Sequence, residues 1–120
     1  MEGKMKTAVM LGIGKMGFEE REIPSPADDE VLVKLEYVGI CGSDLHYYET
    51  GAIGDYVVKP PFVLGHEPGG TVVEIGKNVT HLKAGDRVAL EPGKTCGTVN
   101  FAKQGAIISA RTLYSLRRLR

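Results

Sequence analysis

The chain has 120 residues, 42% of them hydrophobic and 25% charged, which suits one small globular domain burying about two thirds of its unfolded surface and excludes a disordered chain. Fifteen basic and fifteen acidic residues leave no net charge, so the whole-chain field attracts neither nucleic acid nor an anionic membrane. The start "MEGKMKTAVM" lacks the apolar core of a leader and no apolar run approaches the roughly 20 residues of a membrane span, so the expected location is the cytoplasm.

Sixteen glycines and six prolines separate short runs rich in Val, Ile, Tyr and Leu, the pattern of many short strands joined by turns. The first hundred residues are therefore expected to be mainly β. "KTAVML", from Lys6, is the first strand. "LGIGKMG", Leu11 to Gly17, places Gly12, Gly14 and Gly17 in the spacing G-x-G-x-x-G of a dinucleotide fingerprint. That fingerprint needs a helix opening at the glycines to hold a pyrophosphate, and the continuation "FEEREIPSPADDE" meets Pro24 and Pro26 instead. The segment predicts a glycine-rich hairpin turn and a second strand.

"SPADDE" reads as a polar loop. In "VLVKLEYV" Val31, Val33, Leu35 and Tyr37 alternate with Leu32, Lys34, Glu36 and Val38, predicting a strand with one face apolar throughout. "GGTVVEIG" and "DRVALE" are further strands, with "HLKAGDRV" a turn leading into the last, and "PGKTC" is turn chemistry again. From Ala106 the prolines vanish and the tail carries Arg111, Arg117, Arg118 and Arg120. There is no internal repeat. Without an export signal, Cys41 and Cys96 are expected to be reduced thiols or metal ligands, and the sequon at Asn78 to be idle.

Chemistry concentrates in two places. "GICGSDLHYY" puts Cys41 just after a strand, followed by Ser43, Asp44, His46 and Tyr47, and "LGHEPGG" puts His66 beside Glu67. Thiolate, imidazole and carboxylate are zinc ligands, and three of them with one position left open is the arrangement of a catalytic site. Glycines around Cys41 and before His66 let backbones approach closely around one ion. The competing account is a buried inert cysteine and an ordinary Gly-His-Glu turn; on residue types alone the two stand about even.

"VGICGSDLHYYETGAIGDYVVKPPFVLGHEPGGTVVEIGKNVTHLKAGDRVALEPG" resembles the catalytic domain of the zinc-dependent medium-chain dehydrogenases, in their sorbitol, xylitol and L-iditol dehydrogenase branch. The resemblance runs from about Met5 to Gly97, and "CGSDLHYY", "GHE" and "GDRVALEPG" carry it. It implies a mainly β (α+β), GroES-like fold and oxidation of a polyol's secondary hydroxyl to a ketose with NAD.

By the same resemblance Cys41, His66 and Glu67 match the catalytic zinc ligands, Ser43 the hydroxyl residue that starts the proton relay, and His46 the outer relay histidine. Asp44 matches the carboxylate that orients His66, and Tyr47 an aromatic that contacts the polyol. The plain alternatives are a turn-capping serine, an Asx turn, a surface histidine and a packing tyrosine. "GAIGDYVVKPPFV" resembles the loop and strand that close over substrate. In the family NAD sits on a Rossmann domain following the catalytic domain, so this chain is expected to end before that domain and not to turn over alone. The family is usually homo-oligomeric. A standalone zinc-binding GroES-like interaction module is the other reading.

Many microbial members carry a second, structural zinc in a C-x-x-C-x-x-C-x-x-x-x-x-x-x-C lobe after "EPG". Cys96 matches its first ligand, but Val99, Ala102 and Ala110 occupy the other three positions. Back-translation with one base restored before the codon of Thr98 reads "CGHCEFCKTGRYNLCPD", which returns cysteine at 99, 102 and 110. The expectation is a GroES-like domain over 1–97 and an out-of-frame tail without selected structure over 98–120, in which Leu113, Leu116 and Leu119 at helical spacing are an accident of frame.

Overall fold

A computed structural model of the chain describes residues 2–90. Cys96, the turn "PGKTC" and the expected tail over 98–120 lie outside the described residues. Seven strands and one helix follow in the order β1 (Lys4–Gly12), β2 (Lys15–Glu22), β3 (Val31–Gly39), α1 (Gly42–Thr50), β4 (Ala52–Ile53), β5 (Tyr56–Val57), β6 (Glu67–Ile75) and β7 (Arg87–Ala89). All pairings are antiparallel: β1 with β2, β3 with β6, β6 with β7 and β4 with β5. No helix among the described residues is long and apolar enough to cross a membrane.

The G-x-G-x-x-G stretch is the expected hairpin. Its glycines join β1 to β2, with Gly14 in the left-handed region at φ +68°, a conformation that costs glycine nothing. No helix starts there, so nothing presents an amide terminus to a pyrophosphate. The turn instead docks on α1: Gly14 N–H donates to the Tyr48 carbonyl at 2.7 Å and the Tyr48 hydroxyl donates to the Gly14 carbonyl at 2.8 Å. Farther along β1, Met10 exchanges both backbone hydrogen bonds with Phe62, at 2.7 and 3.0 Å. The hairpin thereby holds the helix and the loop that leads to His66.

β6 lies between β3 and β7 in the three-stranded sheet, and β3 supplies residues to both buried clusters of the core. Val31, Val33 and Leu35 pack with Val72 and Leu90 on one side, and Leu32 packs with Met5 of β1 on the other. Each fully buried aliphatic side chain here stabilises the fold by about 1.5–3 kcal/mol. The alternation expected along β3 breaks at its end. The register against β6 shifts between Leu35 and Tyr37, and an irregularity of one residue exchanges the two faces of a strand. Tyr37 is consequently exposed, and its hydroxyl accepts from Arg87 Nη2 at 3.4 Å, while Val38 packs against the core.

The turn before β7 is closed by Asp86, whose carboxylate accepts from the Lys83 ammonium at 2.7 Å and from the Lys83 backbone N–H at 3.0 Å. The Lys83 ammonium first, and its backbone N–H second, hold the Asp86 carboxyl below its ordinary range. A carboxyl with a depressed folded pKa contributes stability that is complete above its unfolded value, about 3.9, and disappears as pH falls through the folded value. Asp86→Asn should therefore flatten the acid limb of a urea-midpoint against pH curve below about pH 4. An unchanged limb would show that the contact persists no longer in the folded state than in the unfolded one.

Candidate metal centre

Helix α1 interrupts the mainly β pattern of the sequence, and it is what turns the "CGSDLHYY" motif into a site. Cys41 is its N-cap, in extended conformation at φ −92° and ψ 157°, and Asp44 is its third residue. Asp44 Oδ2 accepts from the Cys41 backbone N–H at 3.0 Å, satisfying a donor beside the helix start as an acidic residue three places past the cap commonly does. The helix stops at Gly51, left-handed at φ 74°, whose N–H returns to the Tyr47 carbonyl, a common glycine ending. The sequence signal was present in Asp44 and Gly51, but a nine-residue helix with little amphipathic contrast is hidden among strand-like runs.

The same Asp44 carboxylate reaches the second motif. Its Oδ1 accepts from the Gly65 N–H at 3.0 Å and lies 3.5 Å from His66 Nδ1. Gly65 takes φ +100°, a conformation rare for side-chain-bearing residues, and this bend directs its amide to Asp44. One buried carboxylate thus ties the start of α1 to the loop before β6. Asp44 is the described site residue most withdrawn from water, at 9% exposure.

Cys41, His66 and Glu67 converge. Cys41 Sγ, a ring nitrogen of His66 and a carboxylate oxygen of Glu67 all lie within 4.8 Å of one another. Thiolate, imidazole and carboxylate at that spacing form a donor set suited to zinc. Ser43, through its hydroxyl first and its backbone N–H second, and His66 after it, bring the Cys41 thiol below its ordinary value against burial and the charge of Glu67. Burial pulls His66 down, but its hydrogen bond to Cys41 and the negative charges of Asp44, Cys41 and Glu67 carry it above the ordinary imidazole value. A thiol whose neighbours make it more acidic gives up its proton to a metal more readily.

Tyr47 is half-buried, its ring 6.3 Å from that of Phe62, and the two border a cavity of about 350 Å³ that also touches Asp44, Leu64 and His66. Ser43 stands against Cys41. His46 is exposed on α1, three residues past Ser43 and so on the same helix face, and its ring makes no hydrogen bond or ion pair among the described residues. "GAIGDYVVKPPFV" forms the β4–β5 ribbon and the segment through the cis Pro60–Pro61 bond to Phe62. The position of Phe62 is set by the pairing with Met10, which no local pattern announces.

The alcohol dehydrogenase GroES-like domain matches residues 27–115. This chain belongs to that family. The GroES-like domain here is 49% identical over 112 residues to a sorbitol dehydrogenase of Gallus gallus, covering 93% of this chain and 32% of that protein. It is 53% identical over 98 residues to a probable D-xylulose reductase A of Aspergillus clavatus, covering 81% of this chain and 27% of the relative. Among solved structures it resembles an Escherichia coli oxidoreductase/dehydrogenase of unknown specificity with a TM-score of 0.70 and 45% identity, over 86% of this chain and 30% of that one. The chain spans about a third or less of the length of the proteins it matches.

Proposed function

We propose that the chain is the zinc-binding catalytic part of an NAD-dependent polyol dehydrogenase. The convergence of Cys41, His66 and Glu67 carries this reading. The similarity to proteins named sorbitol dehydrogenase and D-xylulose reductase supports a polyol substrate. Zinc, when bound, supplies the Lewis acidity that lowers the pKa of a substrate hydroxyl.

The chain's own residues do the rest. Cys41, His66 and Glu67 hold the metal. Asp44 fixes the orientation of His66. Ser43 accepts the proton of the substrate hydroxyl and passes it to solvent, with His46 as the outer group. Tyr47 and Phe62 wall the cavity in which the carbon chain of the polyol lies. Loss of that proton and of a hydride from the same carbinol would leave a ketose, and NAD, whose site in the family belongs to a segment following this domain, would supply the hydride acceptor.

The proposal includes the slip of one base before codon 98, which accounts for Cys96 standing without the other three cysteines of a structural zinc lobe. Sequencing the gene across codons 95 to 120 tests this directly. A downstream frame encoding G-x-G-x-x-G after a strand is expected, and the protein expressed from the restored frame should reduce NAD with sorbitol, xylitol or L-iditol. A restored, zinc-loaded protein that reduces NAD with none of the three overturns the enzyme reading. Absence of a downstream frame leaves the zinc-binding module as the better account.

A further inference from the structure

β3 ends on Gly39, which faces Glu67 across the ladder at the start of β6. The backbone does not demand glycine there, because Gly39 is outside the left-handed region that Gly14, Gly51 and Gly65 occupy. The demand is for space. A methyl group on Gly39 would stand 2.7 Å from Glu67 Oε2 and 3.1 Å from Glu67 Cβ, and its third neighbour, the Glu67 carbonyl oxygen at 3.5 Å, belongs to the same residue. The Glu67 side chain lies across the bare α-carbon of Gly39 in the conformation that brings its carboxylate to Cys41 and His66.

We propose that Gly39 is a positioning residue of the metal centre, its missing side chain being the space in which the Glu67 carboxylate lies while it faces Cys41 and His66. The inference rests on the metal-site reading above and adds that the direction of the third ligand is set from the neighbouring strand. Glu67 is exposed, so its carboxylate has open solvent to swing into. A methyl group at position 39 therefore displaces the flexible end of the Glu67 side chain and asks its Cβ, at 3.1 Å, to give by only a few tenths of an ångström, while the donor set drops from three to two.

Zinc titration of the 120-residue chain against a competing chelator, with visible spectra of the Co²⁺ form, tests this on four proteins: wild type, Gly39→Ala, Glu67→Ala and the double variant. Gly39→Ala should keep the wild-type circular dichroism, weaken zinc by at least about tenfold and show the Co²⁺ bands of Glu67→Ala. In the Glu67→Ala background the Gly39 substitution should change zinc affinity by less than about twofold, because its target is gone. Wild-type affinity and bands in Gly39→Ala overturn the proposal, as does an equal loss in both backgrounds. If Gly39→Ala does not fold, recovery of folding in the double variant upholds the steric link to Glu67 and failure to recover overturns it. A wild-type chain that binds no zinc overturns the metal reading itself, and this inference with it.

Discussion

Cys41→Ser and His66→Ala are each expected to abolish stoichiometric zinc binding, weakening affinity by more than about a hundredfold. The described residues bring three donors together, Cys41, His66 and Glu67, and removal of either strong ligand leaves two. Zinc sites hold their metal through at least three protein groups, and changes to residues that merely support those groups already cost about 10–100-fold. Metal content after equilibrium dialysis, with folding followed by circular dichroism, gives the answer. Cys96→Ser should leave the zinc content unchanged, because the other three positions of its lobe hold Val99, Ala102 and Ala110. Loss of zinc in the Cys96 variant would contradict both the ligand assignment and the account of the tail by a lost base.

Asp44→Ala is the second large effect, and it should appear in two independent measurements. The carboxylate accepts from the half-buried Cys41 and Gly65 backbone N–H groups, and loss of such a charge-assisted pairing costs about 1 kcal/mol or more. The urea midpoint of the metal-free chain should fall accordingly. Zinc affinity should fall by about 10–100-fold, the usual consequence of losing the group that orients a ligating histidine. Asp44→Asn should lie between wild type and alanine, since an amide offers one acceptor oxygen to two N–H donors. A destabilised Asp44→Ala chain with undiminished zinc affinity would make Asp44 a structural staple and nothing more.

These effects show where sequence reading succeeds and where it stops. The hairpin at Gly12 to Gly17 was legible because Pro24 and Pro26 forbid the helix that a dinucleotide site needs. β3 was legible from its alternation up to Leu35, and beyond it a shift in register exposed Tyr37 and turned Val38 inward. Such a bulge depends on the partner strand, so a pattern read along one strand does not contain it. Helix α1 was missed because its length is short and its contrast weak, although Asp44 and Gly51 marked its two ends.

By itself the sequence determined which chemistry is available: a thiol, an imidazole and a carboxylate in glycine-containing turns at the ends of strands, on a chain with too many turns for a helical fold. Residue type and local period suffice for that, because ligand softness and strand alternation are properties of single residues and near neighbours. Only the tertiary structure decided that the three donors meet, that Asp44 and Gly65, 21 residues apart, are joined by one hydrogen bond, and that the Glu67 side chain lies over Gly39. Those relations arise from the register of β3 on β6 and the docking of the β1–β2 hairpin. Packing between distant segments leaves no period in the chain, so the sequence supplies the candidate donors and the fold brings them together.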